Sequence, residues 1–171
     1  MTLFHAYIES PLGKLKIVYH EQALIALLWP NDDPKRVALG SCIEKSHHPL
    51  IRTTKIQLME YFNKKRSVFD LPLELRGTSF QKEVWKALLD LSYGETSSYL
   101  DLAKSIGRPK AFRAVGTAIG KNPLSIIIPC HRVIGSNGSL TRFAGGLESK
   151  AFLISLEKDI FSLKQDLMPS P

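Results

Sequence analysis

From Phe4 to Trp29 apolar and polar positions alternate in the period of a strand. Phe4, Ala6 and Ile8 alternate with His5 and Tyr7, and Ser10-Pro11-Leu12-Gly13 supplies a turn. Residues 15–19 and 23–29 repeat the signature across His20-Glu21-Gln22, and Pro30-Asn31-Asp32-Asp33-Pro34 ends the run. The pattern predicts a half-buried antiparallel meander. Over residues 35–48 the signal is mixed, with a short helix expected at 36–39. Pro49 suits the first turn of a helix running to about Lys64, along which Ile51, Lys55, Leu58, Met59 and Phe62 trace a stripe. Lys64-Lys65-Arg66 reads as the solvated end of that helix, where cations complement the dipole. Residues 68–75 read as another strand, broken by Pro72.

Arg76-Gly77-Thr78 marks an expected boundary between a lobe of residues 1–76 and one of residues 77–165. Thr78 with Gln81 fits a capping box, and Phe80, Val84, Leu88 and Leu91 share one helical face. Trp85 and Ala87 flank that face as core. After a turn at Tyr93-Gly94-Glu95-Thr96, Ser98 caps a short helix with Tyr99, Leu102, Ala103 and Ile106 inward. Gly107-Arg108-Pro109 breaks it, and Pro109 opens a second helix ending near Gly120. This is the helix-turn-helix pattern. Phe112, Val115 and Ile119 are expected to pack, leaving Lys110, Arg113, Thr117 and Lys121 on the other face. Ala111, Ala114, Gly116, Ala118 and Gly120 keep that helix thin, which suits a DNA groove and suits close helix–helix packing as well. Ile126-Ile127-Ile128 reads as a buried strand, Ser136-Asn137-Gly138 as a turn, and residues 148–164 as a last helix. Its apolar side is Phe152, Leu153, Leu156, Ile160 and Leu163, with Glu157 beside it. Residues 166–171 read as a disordered tail.

Composition narrows the class. The 171 residues are 44% hydrophobic and 23% charged, ordinary for a globular chain, and the formal net charge of +7 favours a polyanionic partner. No apolar run approaches the roughly 20 residues of a membrane span, and Met1-Thr2-Leu3-Phe4-His5 has no secretory pattern. Cys42 and Cys130 offer neither a disulfide framework nor metal-ligand spacing. A reducing, cytoplasmic setting is expected (at the nucleoid in a prokaryote), with no membrane partner.

The densest chemistry is Pro129-Cys130-His131-Arg132. Cationic neighbours lower a thiol's pKa and populate the nucleophilic thiolate. The run reads equally as a small buried cysteine ending a core strand. Cys42 sits among polar residues and receives no role. A nucleophile beside a helix-turn-helix suits a soft electrophile on DNA, such as an alkyl group on a base oxygen. The base must leave the stack to reach it, and Arg113 is best placed to fill the vacated space.

Asn122-Pro123, Ile128-Pro129-Cys130-His131-Arg132-Val133, Gly145-Gly146-Leu147 and Glu157 together resemble the O6-alkylguanine-DNA alkyltransferase family. The resemblance implies an α/β (α+β) fold, with an N-terminal RNase H-like α/β lobe followed by a mostly helical lobe carrying the helix-turn-helix. It implies irreversible, single-turnover alkyl transfer from O6-alkylguanine to Cys130, with His131 as base through a water, Glu157 orienting it and Asn122 bracing the turn. Arg113 then matches the family's arginine finger and Tyr99 its flipping tyrosine, with Ala114, Thr117 and Arg132 at the DNA. Phe143, Ala144 and Gly145 match its substrate pocket. No cofactor and no metal are implied, the zinc ligands of human-type members having no counterpart here. The implied partner is double-stranded DNA bound largely without sequence preference, and the implied state is a monomer. One stretch departs from the family: Arg142-Phe143-Ala144 stands where a tyrosine, often preceded by glycine, is usual. Phe143 stacks but has no hydroxyl, and Arg142 occupies a position suited to positive φ or to a phosphate contact. The rival readings are a helix-turn-helix transcription regulator, a non-catalytic alkyl-lesion binder and, more weakly, a cysteine hydrolase.

Overall fold

The computed structural model describes the backbone of residues 1–166 and the side chains of residues 1–158. Three strands, β1 (Phe4–Ser10), β2 (Gly13–His20) and β3 (Ala23–Leu28), form the expected antiparallel meander. A two-residue strand, β4 (Ile43–Glu44), adds in parallel to β1, giving the order β3-β2-β1-β4. Ala6, Ile8, Leu15, Ile17, Leu24 and Leu27 face the main core. The opposite face is covered too: Leu3, Val18, Ile25 and Ala26 pack there with Leu28, Leu39 and Cys42. The meander is therefore buried on both faces around β3 rather than half-buried. Residues 36–39 leave a turn and run on without regular structure instead of forming the expected helix, and Leu39 packs as a cover for the sheet. Cys42 is part of the same padding.

Helix α1 (Pro49–Phe62) starts at His48, whose ring accepts the Leu50 amide. It ends through Asn63 and Lys64, the latter left-handed at φ 61°, with the Lys65 amide returning to Glu60. Its buried face is Leu50, Ile51, Thr54, Gln57, Leu58 and Tyr61. Met59, expected inside, is exposed, so the true stripe is rotated toward Tyr61. The segment read as a strand at 68–75 forms a single bridge, Leu24 with Leu73, flanked by two hydrogen bonds to Leu24. Pro72 has no amide to extend it.

Helix α2 (Ser79–Leu89) has the expected capping box: Gln81 N donates to Thr78 Oγ1 at 3.1 Å and Thr78 N to Gln81 Oε1 at 3.0 Å. Trp85 is core, donating its indole N–H to the Ala118 carbonyl. A short strand, β5 (Ser97–Ser98), leads into α3 (Tyr99–Ser105), capped by Ser98. A 3-10 turn at Pro109–Ala111 then enters α4 (Phe112–Gly120). Val115, Ala118 and Ile119 face the core, whereas Phe112 is exposed, contrary to expectation. Phe112 is the first residue of the helix, directly after the 3-10 turn, and stands outside the buried face that Ala118 shares with Val115 and Ile119.

Beyond α4 the chain crosses to the sheet. Leu27 N donates to Pro123 O at 2.8 Å, and Leu27 pairs with Leu124. Residues 126–128 are not a strand. Ile128 N returns to Leu124 O, Ser125 bridges Ile128, and Ile126 sits at φ 73° while almost fully buried. A β-branched residue in the left-handed region is strained. β6 (Val133–Ile134) pairs with β5, and α5 (Leu147–Asp166) closes the chain. Leu153 and Leu156 are buried but Phe152 is partly exposed. The Ile160 and Leu163 side chains and the tail beyond 166 lie outside the described residues. Among the described residues no helix is long and apolar enough to cross a membrane.

Replacing Thr78 with Ala removes one half of the capping box and should cost about 1 kcal/mol of stability. Urea unfolding of the two proteins measures it, and an unchanged midpoint would show that α2 does not depend on the cap.

Candidate active site

Cys130, His131 and Arg132 occupy one 3-10 turn reached directly from the buried turn at Ile126. Consecutive side chains on so tight a turn diverge, yet His131 and Arg132 both reach Glu157. Asn122 braces the approach: its Nδ2 donates to Ile128 O at 2.9 Å and its Oδ1 accepts from Leu124 N at 3.0 Å. Its side-chain amide also acts on the Cys130 thiol, favouring the thiolate against burial. All of Asn122, Cys130 and His131 are buried.

Glu157 is the centre of the polar network. Its side chain turns fully inward from α5, at 2% exposure. Oε2 accepts from His131 Nε2 at 2.5 Å and from Tyr61 Oη at 2.6 Å. Oε1 accepts from Arg132 Nε at 2.8 Å and from the Gly94 amide at 3.3 Å. Burial alone would raise this carboxyl's pKa, but the His131 and Arg132 partners outweigh it and hold it down to about 2. Burial likewise lowers His131, with Glu157 opposing, and raises Tyr61 well above the ordinary phenol. A carboxylate facing a neutral imidazole must accept, so the His131 proton sits on Nε2. Nδ1 is left with a lone pair and takes no hydrogen bond from the described residues.

Arg132 is not a DNA contact. Its guanidinium is buried, paired with Glu157, bonded to Leu91 O at 2.7 Å and laid over the Tyr93 ring. The expectation failed because a charge next to a reactive cysteine reads as exposed, whereas the 3-10 turn points it inward. The same geometry alters the thiol. Burial pushes Cys130 up, not down; the groups that oppose burial are Asn122, Arg36 and Lys150. Of the two adjacent basic residues, Arg132 is paired with Glu157 and His131 is neutral, so neither supplies the thiol with a free charge.

Neither Arg36 nor Lys150 was picked out from the sequence. Arg36 pairs with Asp32 and donates to the carbonyls of Asn122 at 2.7 Å and Gly120 at 3.3 Å, clamping the end of α4 to the N-terminal sheet. Lys150 is 1% exposed, its Nζ lying near Thr141 O and Oγ1 and beside the Phe143 ring, and burial lowers its pKa. A basic residue one turn into a surface-patterned helix gives no signal that it is buried. Tyr61 had a detectable one, since it lies four residues after Gln57 and three after Leu58 on a single face.

Phe143 packs edge-on to Trp29 with ring centroids 5.4 Å apart, while Ala144 is exposed beside it. Arg142 is exposed and does not adopt positive φ; in that loop Gly146 does, at 89°. Tyr99 hydrogen-bonds through its hydroxyl to Thr141, tying the start of α3 to the same loop. Gly116 of α4 passes the Tyr99 ring so closely that a Cβ would stand at 3.5 Å. Arg113, Ala114 and Thr117 lie together on the exposed face of α4, with Arg113 over the Phe112 ring.

Residues 3–75 match the ribonuclease-like domain of 6-O-methylguanine DNA methyltransferase, and residues 79–159 match its DNA-binding domain. The chain belongs to the 6-O-methylguanine DNA methyltransferase family. It is 45% identical over 157 residues to a methylated-DNA–protein-cysteine methyltransferase of Methanosarcina barkeri, covering 92% of this chain and 98% of that one. A constitutive relative of the same name from Bacillus subtilis is 43% identical, covering 91% and 95%. The crystal structure of Mycobacterium tuberculosis OGT in complex with DNA superposes with a TM-score of 0.86 at 41% identity, covering 92% of this chain and 94% of that one. The mixed α/β architecture, a ribonuclease-like sheet lobe before a helical part, is that of the family.

The buried network also sets the acid response. Glu157, ionised down to about pH 2 when folded but only to about 4.5 when free, contributes stability above pH 4.5 that is lost as pH falls toward 2. His131, with its pKa lowered by folding, acts in the same direction: stability falls once pH drops below the ordinary imidazole value of 6.5. Unfolding free energy should therefore decrease on acidification from pH 7. Glu157→Gln should be less stable at pH 7 and show a flatter profile below pH 4.5. A parallel, undiminished slope in the variant would place the acid-sensitive group elsewhere.

Proposed function

We propose that this protein repairs DNA by direct reversal, moving the alkyl group of O6-alkylguanine irreversibly onto the Cys130 sulfur. The observation that carries the reading is the Cys130 turn: a buried thiol on a turn braced by Asn122, preceding an imidazole whose only proton is fixed on Nε2 by Glu157. That leaves Nδ1 as the base, able to take the thiol proton through a water. The sulfur–carbon bond forms as the carbon–O6 bond breaks; guanine leaves with that electron pair and regains a proton. Asn122 and the charges of Arg36 and Lys150 favour the thiolate against burial. A thioether is stable to thiols, so each molecule acts once.

The helix-turn-helix supports the DNA side of this reading. Tyr99, Arg113, Ala114 and Thr117 form the face that meets the duplex, with Arg113 exposed and free of carboxylate partners among the described contacts. Phe143, Ala144 and Gly145 then line the pocket for the everted base. We place the lobe boundary at residues 76–77, and assign the protein to the cytoplasm as a monomer binding double-stranded DNA with little sequence preference. The positive net charge supports that mode. A transcription regulator would have no use for the buried Asn122–Cys130 and His131–Glu157 pairs.

Incubation with an O6-methylguanine duplex should add one methyl group per protein molecule, located on Cys130 by peptide mass spectrometry. Cys130→Ala should accept none and Cys42→Ala should react normally. Many lesions repaired per molecule, or methyl found on Cys42, would refute the assignment.

Arg113→Ala should slow repair in duplex DNA by about tenfold or more while reaction with free O6-benzylguanine changes little, since only the duplex base must be extruded. Equal losses on both substrates would remove Arg113 from the flipping role.

A further inference from the structure

Trp29 takes no part in the chemistry above, yet it touches both halves of the proposed site. It follows β3 and its indole is buried. At one edge Nε1 donates to Ser125 Oγ at 3.1 Å, and Ser125 belongs to the tight turn that delivers Cys130. Over its face lies Gly145: a Cβ built there would stand 2.5 Å from both Cδ2 and Cε2 and 2.8 Å from Cε3. No side chain fits between that backbone and the ring. Phe143 meets the same indole at 65°, edge-on.

The Trp29 backbone is anchored as well. Trp29 N donates to Asp32 Oδ2 at 3.2 Å, and Asp32 pairs with Arg36, which grips the Asn122 carbonyl. Two residues earlier, on the strand side, Leu27 is hydrogen-bonded to Pro123. A ring fixed on three sides in a close-packed interior does not slide to accommodate a neighbour.

We propose that Trp29 is a specificity-determining residue, the spacer that sets the separation of the Cys130 turn from the Phe143–Gly145 loop and so the size of alkyl group accepted. The inference rests on the reading of Cys130 as acceptor and of that loop as pocket wall. It assigns the alkyl range to a side chain of the sheet lobe, which carries none of the reacting atoms. A smaller residue at this position lets the loop settle away from its present height and changes the discrimination between small and bulky alkyl groups.

The test uses the full chain and two duplexes, one with O6-methylguanine and one with O6-benzylguanine, following alkylated protein by intact mass. Because both rates come from the same preparation, any loss of folded protein cancels in their ratio. Trp29→Leu should raise the benzyl-to-methyl ratio by about tenfold, the scale on which an apolar pocket distinguishes substrates of different bulk. Trp29→Phe, which keeps a ring beneath Gly145, should move it in the same direction by less. Gly145→Ala should slow both substrates by driving a methyl group into the indole, and adding Trp29→Leu should recover part of that loss. If Trp29→Leu does not fold, the Phe variant decides alone. A ratio unchanged in the folded Trp29 variants, with no recovery in the double variant, overturns the proposal. A wild-type protein that alkylates on neither duplex overturns instead the functional reading beneath it.

Discussion

A single buried carboxylate holds the two parts of this molecule in register. Glu157 reaches Tyr61 on α1, the Gly94 amide in the turn before β5, and His131 and Arg132 on the cysteine turn. Taking a carboxylate out of water is costly, and only a full set of donors offsets it. Here all of them are supplied, two of them from a guanidinium. The consequence is asymmetry: with partners complete the network adds little net stability, but losing Glu157 would strand a buried Arg132 and cost about 3–5 kcal/mol. What the arrangement secures is position. It locks one tautomer of His131 and the direction of its free nitrogen.

A second set of contacts fixes the same turn from the opposite side. Near the end of strand β3 the backbone of Leu27 pairs with residues 123–124, and just beyond the strand the indole of Trp29 reaches Ser125. Arg36 adds its bonds to the carbonyls of Gly120 and Asn122. Held between the carboxylate network and the sheet, the chain tolerates Ile126 in a left-handed conformation that an isolated turn would not keep. The strain is local and is borne by the rigid elements on both sides.

These two sets of contacts explain what the sequence disclosed and what it hid. The meander, the capping box at Thr78 and the helix-turn-helix announce themselves through local periodicity and turn chemistry, and Asn122, Cys130, His131 and Glu157 through a motif with fixed spacing. What depended on contacts between distant segments was missed. Ile126-Ile127-Ile128 has the composition of a strand but its pairing partner is its own next residues. Arg132 and Lys150 carry charges that composition assigns to the surface, yet tertiary structure buries both. Phe112 and Met59 are apolar but exposed, Phe112 because it stands at the very start of its helix after a 3-10 turn and Met59 because the buried stripe of α1 is rotated toward Tyr61.

The resting state of the thiol follows from the same burial. A cysteine among exposed cations would be a thiolate continuously, open to any electrophile in solution. Cys130 is instead 6% exposed, with its pKa pushed up, so most of its population is the unreactive protonated form. For an acceptor used once, that is the economical arrangement: stray alkylation or oxidation would waste the whole protein. The base we propose for it is equally quiet, since His131 is neutral and its proton is committed to Glu157. Reactivity then requires a substrate to complete the site, bringing the alkyl carbon to the sulfur and providing a destination for the thiol proton. Burial of the nucleophile and tautomeric fixing of its neighbour are thus two halves of one selection, which reserves the thiol for an electrophile that fits.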